Sequence, residues 1–284
     1  MSSSEWRQGQ NGLQSTEEDE LSRGVLITGA SRGVGAAAAQ AFARAGDRVV
    51  LHCRSAVDRA EEIRAGLPGE GHAVVAADLG DPAEIPALVE ESASTLGRID
   101  VLVNNAAMFV DEPVAGSRRI GHPLAETSYD EWVATWRRTL AVNLEGAAHV
   151  TWCVARQMLD KEPADGVRRG AVVNVGSRGA YRGEPDVPAY GASKAGLHSL
   201  GQSLAASLAP HDITVTSIAP GFIATDMTES FLAGPGGDAI RAQSPFDRVA
   251  TAEEVGNAIY WLASPQANWA SGAVLDFNGA SYLH

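Results

Sequence analysis

Cysteine is nearly absent from this 284-residue chain, which contains only Cys53 and Cys153. The two cysteines stand far apart and form neither a CxxC pair nor a Cys/His cluster, so the sequence indicates no disulfide framework and no metal site. A stretch of about 18 apolar residues, long enough to span a bilayer, is also missing. The polar N-terminal segment lacks the apolar core of a signal peptide. These absences predict a soluble, cytoplasmic protein with no membrane partner.

Positive charge is scarce, since 22 Lys and Arg residues face 35 Asp and Glu residues and give a net charge of −13. Binding to the phosphate backbone of nucleic acid needs clustered Lys and Arg, so a nucleic-acid partner is not expected. Part of the negative charge is an acidic run at 17–20. Residues 1–22 are rich in Ser, Gln and Glu and are predicted to be a disordered tail. The remaining 23–284 are long enough for one large α/β domain.

Short β-branched runs alternate with longer Ala-rich segments along the rest of the chain. Seven strands are predicted at 25–28, 48–52, 73–77, 101–103, 171–175, 213–218 and 273–277. Helices are predicted near 33–45, 56–66, 82–96, 126–160, 188–209 and 251–263. The strands are continuously apolar, as strands buried on both faces are, and the helices are long enough to be crossovers. The pattern predicts a Rossmann-type, doubly wound, seven-stranded parallel sheet with helices on both faces.

A glycine-rich segment lies between the first predicted strand and the first predicted helix. Glycines allow the backbone to turn tightly and approach a pyrophosphate, and the helix N-terminus supplies unpaired N–H groups and a positive dipole end. The segment therefore predicts a phosphate-binding turn, although its spacing differs from GxGxxG. Its residues are Thr28, Gly29, Ser31, Arg32, Gly33, Val34 and Gly35.

The second predicted strand is followed by Cys53 and Arg54. Dinucleotide sites that prefer NAD carry an acidic residue near this position for the ribose 2′-hydroxyl. No carboxylate would repel a 2′-phosphate here, and the guanidinium groups of Arg54 and Arg32 are suited to bind one. The residues predict NADP(H) in preference to NAD(H); the alternative is that both arginines are solvated surface residues.

Tyr190 and Lys194 are four residues apart on a predicted helix, so their side chains share one face. An ammonium beside a phenol stabilises the phenolate, which is expected to lower the pKa of Tyr190 toward a range useful for acid–base catalysis. Ser177 follows the fifth strand, at the edge where open α/β sheets place their ligands. Its hydroxyl can donate to a substrate oxygen.

Four motifs in this order closely resemble the classical short-chain dehydrogenase/reductase family, from Gly24 to the C-terminus. They are the TGxxxGxG segment at 28–35, Asn-Asn-Ala-Ala at 104–107, Ser177, and Tyr-Gly-Ala-Ser-Lys at 190–194. The resemblance implies hydride transfer between a nicotinamide and a carbonyl or alcohol carbon, catalysed by Ser177, Tyr190 and Lys194. Similarity to 3-oxoacyl-carrier-protein reductases and to pteridine reductases implies a small-molecule ketone, 3-oxoacyl or pteridine-like substrate.

The resemblance also assigns expected roles to residues that the motifs alone do not explain. Asn143 is expected to hold a water that links Lys194 to solvent. Segment 222–246 is expected to cover the substrate as a lid, and pairing through the long helices and the last strand implies a homotetramer or a homodimer. Further cofactor contacts are expected from Asp78, Leu79, Asn105, Ala106, Ala107, Pro220, Gly221, Ile223 and Thr225.

Two functions of other classes remain open. Residues 29–33 also satisfy GxSxG, the nucleophile elbow of hydrolases, which would make Ser31 a nucleophile. A hydrolase of this kind needs strands before the elbow to supply an oxyanion hole, and a histidine after it. The sequence has no predicted strand before residue 25 and no convincing downstream histidine. A regulator that binds NADP without chemistry would have no need to keep Ser177, Tyr190 and Lys194.

Arg178 and Arg182, between Ser177 and Tyr190, could attract an anionic substrate group or be solvated. The long loop at 108–125 is a candidate pocket wall.

Overall fold

The computed structural model describes residues 22–109, 121–160, 168–226 and 228–284, and its centre is a seven-stranded parallel sheet. The strands lie in the order β3-β2-β1-β4-β5-β6-β9. The chain turns back at β1, whose neighbours are β2 and β4, as the predicted doubly wound topology requires. The bounds are β1 Gly24–Ile27, β2 Arg48–Cys53, β3 Ala73–Ala76, β4 Val101–Asn104, β5 Gly170–Val175, β6 Ile213–Pro220 and β9 Val274–Phe277.

Helices cover both faces of the sheet. Alternate residues of β1 serve the two sides: Val25 and Ile27 belong to one apolar cluster with Phe42, whereas Leu26 belongs to the other with Leu102. All five are fully buried, which explains why the strands are continuously apolar. The helices are α1 Gly33–Arg44, α2 Val57–Ala65, α3 Ile85–Leu96, α4 Tyr129–Leu140, α5 Ala147–Leu159, α6 Pro188–Leu208, α7 Glu229–Ala233, α8 Gly237–Arg241 and α9 Ala252–Leu262.

The long helix predicted near 126–160 is interrupted in its middle. α4 and α5 are joined by a π-helical turn, Ala141–Gly146, so the polypeptide continues without a loop but with a local change of pitch. A Cβ at Gly146 would lie 2.6 Å from the carbonyl oxygen of Leu79, so the close approach of this turn to the chain after β3 requires glycine. π-turns inside helices often mark functional sites, and this one contains Asn143.

The segment predicted as a lid contains short elements that the sequence pattern does not reveal. A parallel pair of two-residue strands, β7 Ile223–Ala224 at the start of the segment and β8 Ala250–Thr251 four residues beyond its end, closes the base of this region. α7 and α8 lie between them and have five residues each. The elements are too short for a periodic signal, so the sequence indicates only a loop.

Several sequence predictions concern residues outside the described ranges. These are the tail 1–21, most of the loop at 108–125, and Met227 within the lid. Within the described part of the chain, no helix is both long and apolar enough to cross a membrane, and no group of three or more potential metal ligands occurs.

Candidate active site

A cleft of about 800 Å³ opens at the carboxyl edge of the sheet, where the chain reverses between β1 and β4. Open α/β sheets bind ligands in this crevice. Most of the predicted site residues line it: Gly29, Ser31, Arg32, Gly33, Val34, Arg54, Asp78, Leu79, Asn105, Ala106, Ala107, Ser177, Tyr190, Lys194, Pro220, Gly221, Ile223 and Thr225. Thr28, Gly35 and Asn143 do not line the cleft, and each supports its wall from behind.

The glycine turn forms the middle of the cleft. Gly29 and Gly33 have φ of 66° and 56°, a left-handed conformation that favours glycine. A Cβ at Gly35 would lie 2.4 Å from the carbonyl oxygen of Gly29 and 2.6 Å from Nδ2 of Asn105, so this glycine allows α1 to pack against the turn. No side chain caps the start of α1, and its first turn contains no acidic residue. The exposed N–H groups therefore suit a phosphate.

Thr28 fixes the turn to the end of β4. Its Oγ1 accepts hydrogen bonds from the backbone N–H groups of Asn105 and Ala106, each at 3.0 Å. The Asn105 side chain donates in return to the carbonyl oxygens of Thr28 and Gly29, at 2.9 and 3.0 Å. The conformation of the glycine turn is thus set by contacts with a strand more than 70 residues away in the chain.

His52, which no sequence motif indicates as a site residue, holds the same turn from the other side. Its Nδ1 accepts from the N–H of Gly29 at 3.2 Å, and its Nε2 lies 3.0 Å from the carbonyl oxygen of Ala77. Burial lowers the pKa of His52, although the Ala77 carbonyl and the charge of Asp78 oppose this effect. The ring is therefore neutral, with Nε2 as the donor, and it ties the turn to the chain after β3.

Basic side chains gather at the end of the cleft beside β2. Arg54 and Arg32 both line it and both are exposed, so they are available to an anionic group. Arg59 of α2 forms an ion pair with Asp226 across the cleft, and the Arg59 hydrogen bond lowers the pKa of Asp226. The two partners are 167 positions apart in the chain, so no local sequence pattern indicates this pair. Asp78 lines the same end of the cleft. Its Oδ1 accepts a hydrogen bond from the Gly80 N–H at 2.8 Å, so this carboxylate stabilises the turn after β3 in addition to facing the cleft.

Ser177, Tyr190 and Lys194 converge at the opposite end of the cleft. Ser177 follows β5 and its Oγ accepts from the N–H of Gly179 at 3.0 Å, which begins a short 3₁₀ turn. Lys194 Nζ donates to the carbonyl oxygen of Val175 at 2.8 Å and lies 5.7 Å from the centroid of the Tyr190 ring. The ring of Phe109 packs edge-on against Tyr190 with centroids 4.9 Å apart.

The expected lowering of the Tyr190 pKa is wrong for this structure. Burial raises the pKa of Tyr190 to about 12, and its hydrogen bond with the Ser177 side chain only partly opposes the rise. Burial also lowers the pKa of Lys194, to about 8. Desolvation exceeds the ion–phenol interaction because the ammonium donates to Val175 and not to the phenol. Tyr190 is consequently a neutral phenol, in the state that can donate a proton.

Asn143 is buried, not turned toward water as a polar residue in mid-helix usually is. Its Oδ1 accepts from the N–H of Met108 at 2.8 Å, and its Nδ2 donates to the carbonyl oxygen of Met108 at 3.0 Å. The same Nδ2 lies 3.1 Å from Oγ of Ser193, which donates to the carbonyl oxygen of Tyr190 at 2.7 Å. Asn143 therefore connects the chain after β4 to the helix turn that carries Tyr190.

The two arginines after Ser177 serve chiefly to join loops. Arg178 is buried and donates at 2.5 Å both to Oγ of Ser281 and to Oε1 of Gln243, while Arg182 donates to the same Oε1 at 3.0 Å. Of the two alternatives left open for Arg178, a solvated side chain is wrong, since the guanidinium connects the segment after β5 with the lid and with the C-terminal residues. It also lies 5.1 Å from the centroid of the Phe222 ring.

Ser31 has no histidine partner among the described residues of the cleft. His52 is the histidine in the described lining, and both of its ring nitrogens are bonded elsewhere. Ser31 also lies in the glycine turn itself, after the first strand of the sheet. The geometry gives no support to a hydrolase reading of the GxSxG pattern.

Known proteins resemble this chain over nearly its whole length. A family model described as Enoyl-(Acyl carrier protein) reductase matches residues 29–279. The chain is 34% identical over 259 residues to the 3-oxoacyl-(acyl-carrier-protein) reductase FabG of Escherichia coli (strain K12), covering 91% of this chain and 97% of that protein. It is 30% identical over 266 residues to the protein of the same name from Staphylococcus aureus (strain Mu50), covering 93% and 100%.

A solved structure shares the fold over nearly the whole chain. The short chain dehydrogenase from Burkholderia cenocepacia J2315, solved in complex with NADP, superposes with a TM-score of 0.78 and 29% sequence identity. The match covers 91% of this chain and 97% of that one. The predicted fold class is thereby confirmed.

Proposed function

The chain belongs to the short-chain dehydrogenase/reductase family and is an oxidoreductase that uses a nicotinamide cofactor. On this premise we propose that it reduces a ketone or 3-oxoacyl-type carbonyl, or oxidises the matching secondary alcohol, with NADP(H) as its preferred cofactor and with Ser177, Tyr190 and Lys194 as catalytic residues. The relatives named 3-oxoacyl-(acyl-carrier-protein) reductases support this substrate class over a pteridine.

The observation that carries the proposal is the arrangement of the three side chains at one end of the cleft. The Ser177 side chain is close enough to the Tyr190 hydroxyl to oppose the rise in its pKa, and the Lys194 ammonium lies 5.7 Å from the centroid of the Tyr190 ring. Lys194 is only 2% exposed. The hydrogen bond to Val175 offsets the cost of burying the charge only in part, since burial still lowers the pKa of Lys194, and a shifted ionisable group in a cleft is typical of a catalytic site.

The neutral phenol of Tyr190 is the proton donor in reduction. A nicotinamide cofactor, when bound in the cleft, would supply the hydride to the carbonyl carbon. The Tyr190 O–H gives its proton to the carbonyl oxygen, so that C=O becomes CH–OH and Tyr190 is left as phenolate. The Ser177 hydroxyl donates a hydrogen bond to the substrate oxygen as negative charge develops on it.

Lys194 stabilises the phenolate that this step leaves behind. Its pKa of about 8 keeps much of the population charged near neutral pH, and an ammonium close to the ring favours the ionised phenol. Its charge is most effective after proton transfer, when the opposite charge has formed. Asn143 supports both groups by fixing the turn of α6 from which Tyr190 projects.

The preference for NADP(H) is supported by the charges beside β2. Arg54 and Arg32 are exposed at the cleft, and the strand ends in Cys53, not in a carboxylate. A guanidinium can bind a 2′-phosphate through two parallel hydrogen bonds. The two remaining carboxylates at this end, Asp78 and Asp226, are engaged with Gly80 and Arg59.

Assembly into a homotetramer, or a homodimer, is part of the proposal. Exposed aromatic side chains support it: Trp152 of α5 is 67% exposed, and Trp269, which precedes β9, is fully exposed. Large aromatic residues on a surface favour association. Light scattering on the purified protein gives the molar mass that tests this.

The test of the proposed function is an assay of NADPH oxidation with 3-oxoacyl thioesters and simple ketones. Tyr190→Phe is expected to lower kcat by about 10² to 10⁴-fold, because general acid catalysis contributes about that much, while the dissociation constant for NADPH stays within about threefold. Tyr260→Phe is the matched control, since Tyr260 packs on Phe42 behind the sheet. A wild-type protein that binds NADPH but reduces no carbonyl would support the regulator reading and refute the proposal.

A further inference from the structure

A carboxylate at the reacting end of the cleft has no function in the mechanism above. Glu184 lies in the segment between Ser177 and α6, is half-buried and lines the cleft. A Cβ at Gly179 would lie 3.1 Å from both Cγ and Oε1 of Glu184 and 3.3 Å from Oγ of Ser177. The carboxylate therefore flanks the same small residue as the Ser177 hydroxyl.

The Glu184 carboxylate has no hydrogen-bond or ion-pair partner in the described part of the chain, although two arginines are near. Arg178 donates to Ser281 and Gln243, and Arg182 donates to Gln243, so the hydrogen bonds that the two guanidinium groups form go to other side chains. Burial raises the pKa of Glu184 despite the opposing charges of both arginines. A half-buried carboxylate that faces the cleft without a partner among the described residues can accept a hydrogen bond from a bound molecule.

Glu184 is distinct from the other carboxylates that line the described cleft. Asp78 is in the turn after β3, where it accepts from Gly80, and Asp226 is paired with Arg59. Both lie at the end where the adenosine part of a dinucleotide is expected. Glu184 alone of the three lies near enough to Tyr190 to raise the pKa of its phenol.

We propose that Glu184 determines substrate specificity by accepting a hydrogen bond from a hydroxyl or ammonium group on the carbon next to the reacting carbonyl. The inference rests on the proposed function and narrows it to α-hydroxy or α-amino carbonyl compounds and their vicinal diol or amino-alcohol products. A site built to bond a substrate donor discriminates strongly against the analogue that lacks it, because its own acceptor is then left unpaired.

The experiment uses matched pairs of ketones that differ in one group. Hydroxyacetone is compared with 2-butanone, and 2-hydroxy-1-phenylethanone is compared with propiophenone. Aminoacetone and 2-amino-1-phenylethanone supply the charged donor on the same carbon. The readout is the ratio of kcat/KM within each pair, with NADPH saturating, for wild type, Glu184→Gln, Glu184→Ala and Asp186→Asn. Asp186 is the matched control, since it is exposed on the same segment but does not line the cleft.

The wild type is expected to favour the hydroxyl or ammonium member of a pair at least tenfold. Glu184→Ala should reduce that ratio below about threefold, and Asp186→Asn should leave it intact. Glu184→Gln keeps an acceptor oxygen without charge, so it should retain more of the preference for hydroxyl than for ammonium. This contrast identifies which donor the site takes.

Two results overturn the inference and are distinguishable from failure of the proposed function. One is that the wild type shows equal kcat/KM values within each pair, and the other is that the preference survives in Glu184→Ala. Either result would show that Glu184 does not bind the hydroxyl or ammonium group of the substrate, although the enzyme reduces ketones. A wild type that reduces neither these pairs nor 3-oxoacyl thioesters would refute the proposed function, and this inference with it. Unchanged NADPH binding in each variant shows that the variant is folded.

Discussion

The side chain of Asn143 forms two hydrogen bonds with one backbone residue, accepting from the N–H of Met108 at 2.8 Å and donating to its carbonyl oxygen at 3.0 Å. This pairing fixes the chain that leaves β4 against the π-turn between α4 and α5. The third contact, to Ser193, extends the connection to the helix that carries Tyr190 and Lys194.

Replacing Asn143 by Ala is expected to weaken both the fold and the catalytic geometry. The Met108 backbone groups lose their partner, which costs about 1–3 kcal/mol in the free energy of unfolding, and kcat should fall more than NADPH affinity. Chemical denaturation and steady-state kinetics measure the two effects. Asn257→Ala is the control, because Asn257 is exposed in the middle of α9. Equal stability losses in the two variants would contradict the role given to Asn143.

Arg54→Ala is expected to abolish most of the preference for NADPH over NADH. The wild type should bind NADPH at least tenfold more tightly, equivalent to about 1.4 kcal/mol, and the variant should bring the two dissociation constants within about threefold. Fluorescence titration with each nucleotide measures them. Arg44→Ala, on the exposed end of α1, removes the same charge outside the cleft and should keep the preference. A wild type that binds both nucleotides equally would refute the NADP(H) assignment.

His52→Phe is expected to weaken nucleotide binding at least tenfold while the protein stays folded. The phenyl ring fills the space of the imidazole but leaves the Gly29 N–H and the Ala77 carbonyl without a partner, so the glycine turn loses its support. The dissociation constant for NADPH is the measurement. His149→Phe, at an exposed position of α5, serves as control. Nucleotide affinity equal to wild type in His52→Phe would show that Thr28 and Asn105 suffice to hold the turn.

His198 is expected to make the fold sensitive to acid. The side chain is only 4% exposed, neither ring nitrogen has a hydrogen-bond partner in the described structure, and burial, followed by the charges of Lys194 and His284, lowers its pKa to about 4. The unfolded chain takes up the proton near pH 6.5, so this stability is present above that pH and is lost as pH falls toward about 4, by up to about 3 kcal/mol.

The test compares denaturant unfolding of the wild type and His198→Leu between pH 7 and pH 4. Leucine fills a similar volume without buried polar atoms, so the variant is expected to match or exceed the wild type at pH 7 and to lose less stability on acidification. Parallel pH profiles for the two proteins would show that other groups control the acid response.

The sequence by itself determined the layers of the fold and the composition of the cleft. Apolar runs such as 25–27 are continuous because their alternate residues face two cores, and helix-length segments between them require a parallel sheet. The Tyr190–Lys194 spacing places both side chains on one face of a helix whatever surrounds it. These properties depend on neighbours within a few positions, which the sequence displays directly.

Only the tertiary structure decided which polar groups act together and how they titrate. The support of Gly29 by His52, the Arg59–Asp226 pair and the burial of Asn143 join residues 23, 167 and 35 positions apart. No pattern among residues close together in the chain predicts such contacts. Desolvation raised the pKa of Tyr190, where the spacing to Lys194 alone suggested a lowered pKa. The orientation of the two side chains places Glu184, but not Asp186, in the wall of the cleft. Burial and direction of a side chain arise from packing between distant segments, which is why the chain order could not supply them.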